Sequence, residues 1–274
     1  MLKKTLELLF NIDRRWLFLL LALSIFIPIV RPLRLPNKNI SADVRHVYEN
    51  IEALPPGSFI LLSLDYDPST RPELHPQAMA LVRQAFERNL RVGVVTFIPG
   101  STGLIDEVFS TLSKQYHKVY GKDYVIFPYE PNIVAVLTQM ASNLYGIYDK
   151  DKYGNEAASL PVMKGITNYK DMGLVVDVTG TSSIDIWVQY AGDKYNVPLA
   201  AGVTAISQPS YGPYLQTGQL KGLIGGMKGA ADYETLLNAP GKGTSGIDAL
   251  NLAHILVVAL IVFSNLGLFL VKYL

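Results

Sequence analysis

The sequence predicts a three-layer α/β domain with a mostly parallel sheet, held between two apolar segments. Residues 16–30 are apolar apart from Ser24 and Pro28, and residues 250–271 form a second, longer apolar run. Between these segments, short apolar runs of strand length alternate with stretches of helical period. Such alternation is typical of right-handed βαβ crossovers, which produce parallel strands with helices on both faces.

The N-terminal apolar segment is interpreted as a retained membrane anchor. A helix needs roughly 20 apolar residues to cross the hydrocarbon core. We predict an amphipathic or cytoplasmic tail over 1–15 and a first transmembrane helix over 16–35. A cleavable signal peptide is the competing interpretation, but residues 27–32 read IPIVRP, without the small-residue cleavage site that a signal peptide requires.

A linker with a short helix is predicted over 36–57, and the α/β domain over 58–238. Each of its five predicted strands is a short apolar or β-branched run, and each is followed by a helical pattern. The predicted strands cover 59–64, 91–98, 124–127, 174–178 and 198–206. The predicted helices begin near Pro76, Leu104, Asn132, Ser182 and Tyr214, and the last of them extends to Leu237.

This arrangement resembles Rossmann-like and flavodoxin-like folds. The phrases LDYDP at 64–68 and GGMKGAA at 225–231 also resemble a group of uncharacterised membrane proteins with such a domain between two transmembrane helices. The resemblance implies the architecture and carries no activity.

Two segments interrupt or follow the α/β pattern. Residues 149–171 show no clear period and contain several apolar residues, so we predict an inserted loop packed on the domain or on a neighbouring molecule. A linker over 239–248 then leads to a second transmembrane helix over 249–272. With two spans, both tails lie on one side of the membrane. We expect the tails to be cytoplasmic and the domain extracytoplasmic, because a short basic tail resists translocation.

The composition excludes several classes of function. Lys and Arg total 24 and Asp and Glu 23, so the net charge of +1 provides no general attraction for nucleic acid. The absence of cysteine excludes disulfides and thiolate sites. No nucleophile elbow and no paired zinc-type histidines occur, and His75 is the one plausible acid–base candidate. We therefore predict no catalytic residues, no metal and no cofactor.

Polar residues follow the predicted strands, where ligands bind in open parallel sheets. The candidate ligand-binding residues are Asp65, Asp67, Ser101, Thr102, Asp177, Thr181 and Ser182. The hydroxyl-rich loops precede helices, so they either form a cradle for a phosphorylated or carboxylated small molecule or simply cap those helices. The aspartates either converge on a hard cation or form turns.

A glycine stripe is the strongest non-catalytic signal. Gly218, Gly222, Gly225 and Gly229 recur at intervals of four, three and four within the last predicted helix. Each glycine inside a helix costs about 1 kcal/mol relative to alanine, so the stripe requires close approach of another backbone. The alternatives are tight packing within the fold, contact with another copy of the chain, or a break in the helix at 225–226.

These observations predict two alternative functions for the chain. The first is a membrane-anchored structural or interaction protein whose α/β domain self-associates or scaffolds partners at the bilayer. The second is a membrane-tethered binding domain or enzyme for a small anionic ligand at the carboxyl edge of the sheet.

Overall fold

The computed structural model describes residues 13–33 and 39–273, so most of the predicted tail over 1–15 lies outside the described residues. The helices are α1 (Arg14–Val30), α2 (Ala42–Glu52), α3 (Arg71–Glu87), α4 (Thr102–Tyr116), α5 (Ile133–Met140), α6 (Ser183–Trp187), α7 (Asp193–Tyr195), α8 (Gly212–Gln216), α9 (Gly226–Leu236) and α10 (Lys242–Tyr273). The strands are β1 (Phe59–Asp65), β2 (Arg91–Val95), β3 (Tyr124–Ile126), β4 (Leu174–Thr179), β5 (Leu199–Val203) and β6 (Leu220–Gly225).

The chain divides into two compact units. One unit is the α/β domain, Asn37–Gly243, and the other comprises the two terminal segments, which contain α1 and most of α10.

The sheet has six strands in the order β3-β2-β1-β4-β5-β6, and every neighbouring pair is parallel. This is the order of doubly wound Rossmann sheets, in which the direction of winding reverses between β1 and β4. The predicted α/β class and parallel sheet are therefore confirmed, whereas the predicted number of five strands is wrong.

The sixth strand lies inside the last predicted helix, and this corrects the glycine stripe. Residues 220–225 form β6, and α9 begins only at Gly226. Periodicity alone does not separate a short buried strand from a buried helical segment, and glycines at intervals of three and four read as a helix face. Gly218 adopts a φ of +76° just before β6, so the four glycines do not share one helix.

One of these glycines does mark a close approach of two backbones. A Cβ on Gly222 would lie 2.6 Å from the backbone nitrogen of Val47 and 2.7 Å from the carbonyl oxygen of Asp43. The short helix α2 can therefore pack directly on β6 only because residue 222 has no side chain.

Each face of the sheet carries its own core. One core contains side chains of α2, α3, α4 and α9, including Val47, Leu81 and Tyr233. The other contains α5, α6 and the inserted segment 149–171, whose Met163, Ile166 and Tyr169 are buried. The apolar residues of the insertion thus pack on the domain itself.

The terminal segments differ in their capacity to span a membrane. Within the described residues, only the stretch Lys242–Leu270 of α10 is long and apolar enough to cross, with a mean hydropathy of 2.3. Helix α1 has 17 residues with Pro28 inside it and falls short of that requirement. The observed count is therefore one candidate span instead of the predicted pair, and α10 begins at Lys242, within the predicted linker.

Candidate functional site

Two buried aspartates, Asp65 and Asp177, lie on neighbouring strands at the point where the winding of the sheet reverses. Asp65 ends β1 and pairs in register with Thr179 of β4, and Asp177 pairs with Ser63. Alternate residues of a strand project from the same face, so these four side chains share the face that carries α5 and α6. Both carboxyl groups are almost wholly buried, at 0% and 2% exposure. We call Asp65 and Asp177 the acid pair.

Asp65 is held by three donors. Its Oδ1 accepts hydrogen bonds from the backbone nitrogen of Phe97 at 2.6 Å and from Thr96 Oγ1 at 3.2 Å. Its Oδ2 accepts from Ser63 Oγ at 2.5 Å. Burial nevertheless dominates and raises the pKa of Asp65 to about 6, because removal from water disfavours the charged form more than the donors favour it.

Asp177 is less well satisfied. Its Oδ2 accepts from Ser183 Oγ at 2.6 Å, while its Oδ1 is buried and has no hydrogen-bond partner among the described residues. Burial, reinforced by the charge of Asp65, raises the pKa of Asp177 well above its ordinary value. The two carboxyl groups therefore titrate as a coupled pair, in which ionisation of Asp65 opposes ionisation of Asp177.

The layer over the acid pair is aromatic. Trp187 follows Ser183 by one helical turn, and Tyr148 stacks on Phe127 at a centroid separation of 4.7 Å. Trp187 Nε1 and Tyr148 OH are buried and have no hydrogen-bond partner among the described residues. Burial and the neighbouring carboxylates, including Asp65, raise the pKa of Tyr148, so its hydroxyl stays neutral.

The structure places Asp67 apart from the acid pair, in the loop before α3. Its Oδ1 accepts from the backbone nitrogen and the hydroxyl of Ser69 at 2.9 and 2.6 Å, and from the backbone nitrogen of Thr70 at 3.3 Å. These bonds lower the pKa of Asp67, because they favour the carboxylate. They are the hydrogen bonds of an Asx turn at a helix start.

Three of the four predicted serines and threonines form side-chain hydrogen bonds with backbone groups at the strand-end loops. Ser101 Oγ donates to the carbonyl of Tyr66 at 2.7 Å and accepts from its backbone nitrogen at 3.1 Å. Thr102 Oγ1 donates to the carbonyl of Pro99. Thr181 Oγ1 accepts from the backbone nitrogen of Ser183, and Ser182 is an exposed N-cap without a side-chain capping bond.

The loops around the acid pair pack against each other. The backbone nitrogen of Gly180 donates to the carbonyl of Asp65 at 3.1 Å, and a Cβ on Gly180 would lie 3.0 Å from Thr70 Cγ2. A Cβ on Gly100 would lie 3.4 Å from Asp67 Cβ. The loops that follow β1, β2 and β4 therefore contact one another at the end of β1, and small residues permit their approach.

A second polar cluster surrounds His75 on α3, beside a cavity of about 210 Å³ that we call the α3 cavity. His75 Nδ1 lies 3.1 Å from Tyr66 OH, and its Nε2 lies 3.7 Å from Glu107 Oε1. Burial lowers the pKa of His75 to about 4, so the imidazole is neutral at pH 7.

Sequence reasoning identified His75 but missed the other polar residues of this cavity. Glu107 comes from α4 and Lys242 follows α9, so only the fold brings them to α3. The sequence did contain one indication of this cavity. His75, Met79 and Arg83 recur at four-residue spacing and therefore lie on one face of α3.

Within residues 13–33 and 39–273, no group of three or more His, Asp or Glu side chains is placed to hold a metal ion. Comparison with protein-family models, with curated proteins and with solved structures gives no match to this chain.

Proposed function

We propose that this chain is a membrane-anchored structural or interaction protein whose α/β domain self-associates or scaffolds partners at the bilayer. One observation carries the proposal: the chain enters and leaves the α/β domain against the same helix, α9. Two connectors that leave from one place suit a domain tethered at both ends to a single membrane surface.

Hydrogen bonds to α9 hold both connectors, the segment that enters the domain before α2 and the segment that leaves it after α9. On the incoming side, Lys228 Nζ donates to the carbonyl of Asn39 at 3.1 Å, and the backbone nitrogen of Ser41 donates to Asp232 Oδ2 at 3.2 Å. On the outgoing side, Glu234 accepts from the backbone nitrogens of Gly241 and Gly243, at 2.8 and 2.9 Å.

Both terminal helices fit the role of anchors, although they fit it unequally. Helix α10 has the length and hydropathy of a span. Helix α1 is short, but it exposes large apolar side chains such as Trp16, Phe18 and Phe26, at 63%, 68% and 63%. Bilayers accommodate short helices by local thinning at modest cost. We therefore propose two membrane passes, with cytoplasmic tails and an extracytoplasmic domain.

The state of the acid pair favours a scaffold over an enzyme. Asp65 accepts hydrogen bonds from three internal donors, and both carboxyl groups are excluded from solvent. A catalytic acid or base must come within hydrogen-bond reach of its substrate. A net charge of +1 also leaves little electrostatic repulsion between copies.

A membrane-tethered binding domain for a small anionic ligand is the second candidate. The exposed Ser182 and the partly exposed Thr102 begin α6 and α4 at the same sheet edge, and they favour it. The acid pair beneath them opposes it, because any negative charge there repels an anion.

Membrane topology is testable because the chain has no cysteine. Thr5→Cys places a single thiol in the tail, and Ser210→Cys places one on the exposed surface of the domain. In intact cells, an impermeant maleimide should label Ser210→Cys alone, and Thr5→Cys should react only after lysis. Labelling of both variants from the same side contradicts the proposed arrangement.

Self-association is tested by the mass of the whole chain in mild detergent, with imaging of the same sample. A regular homo-oligomer is the expected result. A strict monomer that captures no partner contradicts the proposal and favours the ligand-binding candidate.

A further inference from the structure

The α3 cavity is formed by three parts of the domain. His75, Met79 and Arg83 line it from α3, Glu107 from α4, and Leu237 and Lys242 from the residues after α9. Its volume of about 210 Å³ lies below the ~300–1,000 Å³ of pockets that hold drug-sized ligands. The space therefore suits a compact organic molecule and is too small for a lipid with two acyl chains.

The acidic groups of the α3 cavity are already engaged. Both carboxylate oxygens of Glu107 accept from Arg71 at 2.6 Å. The carboxylate of Glu234, which also lines the cavity, accepts from two backbone nitrogens of the following segment. Glu107 is therefore paired with a cation of the protein, and the carboxylate of Glu234 is held in place by hydrogen bonds of the protein.

Arg83 differs from these acids. Its side chain is partly exposed, and among the described residues its guanidinium has no hydrogen-bond or ion-pair partner. A guanidinium presents a fork of donors that matches a carboxylate in two parallel hydrogen bonds. Beside it, Met79, Ala80 and Leu237 supply apolar wall. The lining of the cavity thus includes a cation without a described partner, together with apolar side chains that offer hydrophobic contact.

We propose that the α3 cavity is a binding site for a compact organic acid with an apolar body. The carboxylate would pair with Arg83, and the body would pack on Met79 and Leu237. This site is independent of the sheet edge and of the proposed scaffold role.

The test uses three probes with one skeleton and different charge: 4-fluorophenylacetate, 4-fluorophenylacetamide and 2-(4-fluorophenyl)ethylamine. Fluorine NMR titrations are run on the full chain in lipid nanodiscs, with empty nanodiscs subtracted. The acid should bind saturably, the amide at least about tenfold more weakly, and the amine without saturation.

Two variants localise the binding. Arg83→Gln should weaken the acid at least about tenfold while leaving the amide unchanged. Thr111→Trp, at an exposed helix position on the lining, should weaken both by obstruction. Arg45→Gln removes one arginine from an exposed site outside the lining and is the matched control, with no expected effect.

Three results would overturn the proposal. They are absence of saturable binding of the acid to the wild-type chain, equal binding of acid and amine, and undiminished binding of the acid to Arg83→Gln when that variant remains folded.

Discussion

The acid pair and the α3 cavity belong to one domain, yet they handle charged groups in opposite ways. At the acid pair, ionisable side chains are excluded from water and Asp65 is surrounded by internal donors. At the α3 cavity, Glu107 pairs with Arg71 and Glu234 accepts from backbone nitrogens, while Arg83 has no hydrogen-bond or ion-pair partner among the described residues. A charged group that is paired or hydrogen-bonded within the protein changes the stability of the fold. A charged group beside a cavity that lacks such a partner is available to bind a ligand.

Removal of Asp65, which accepts hydrogen bonds from several internal donors, should cause the largest loss of stability. Asp65→Ala leaves Ser63 and the backbone nitrogen of Phe97 without their acceptor in a dry environment, and it removes one of the two acceptors of Thr96 Oγ1. We expect a loss of about 3–5 kcal/mol in the free energy of unfolding, measured by urea denaturation of the full chain in detergent.

The matched control for that variant is Asp67→Ala. Asp67 accepts hydrogen bonds in the turn before α3 from a partly exposed position, so its removal should cost about 1 kcal/mol. Equal losses in the two variants would contradict the contrast between a buried acceptor and a partly exposed one.

The acid pair and His75 should change the free energy of unfolding in opposite directions as the pH rises. The pKa of Asp65 is raised to about 6 in the fold, so stability is lost as the pH rises from about 4 to 6. The pKa of His75 is lowered to about 4, so stability is lost as the pH falls from about 6.5 to 4. The shifts of Asp65 and His75 each correspond to at most about 3–3.5 kcal/mol, and in the wild-type chain the His75 effect partly cancels that of the acid pair, in which the raised pKa of Asp177 acts in the same direction as that of Asp65.

Single-cluster variants should separate these effects. In His75→Gln, the free energy of unfolding should fall more steeply than in wild type as the pH rises from 4 to 6. In the double variant Asp65→Asn with Asp177→Asn, it should rise over that range. Parallel pH profiles of the three proteins, measured by urea denaturation, would refute the assignment of opposite shifts.

A smaller loss of stability is expected when the single hydrogen bond between Tyr66 and His75 is removed. Tyr66→Phe removes the hydroxyl that bonds His75 Nδ1 and should cost about 1 kcal/mol, because one buried hydrogen bond is lost. Thermal unfolding of this variant measures the cost, and Tyr129→Phe, at a partly exposed tyrosine, is the control. A loss as large as that of Asp65→Ala would show that the α3 side is equally engaged.

The smallest change in stability should come from substitution of Arg83, which has no hydrogen-bond or ion-pair partner among the described residues. Arg83→Gln should change the free energy of unfolding by less than about 0.5 kcal/mol, since no described partner is lost. Urea denaturation of this variant beside Arg71→Gln, which breaks the contact with Glu107, provides the comparison. A large loss in Arg83→Gln would show that Arg83 has a structural role.

Strand and helix alternation predicted the class of the fold and most of its elements, since local periodicity reports which residues face a core. It failed at residues 220–225, where glycines at helical spacing concealed a strand. It also placed Asp65 and Asp177 at one sheet edge, because the carboxyl ends of parallel strands meet there. Burial of those two carboxyl groups does not follow from spacing, because it depends on the packing of segments that are distant in sequence.

The sequence by itself determined that an α/β domain lies between two apolar segments, because composition and period are local properties of the chain. Only the tertiary structure decided which polar residues are engaged. The partners of Asp65, the neighbours of Gly222 and the lining of the α3 cavity come from segments distant in sequence. Desolvation and pairing depend on these long-range contacts, and they separate the internally satisfied acid Asp65 from Arg83, for which the described residues supply no hydrogen-bond or ion-pair partner.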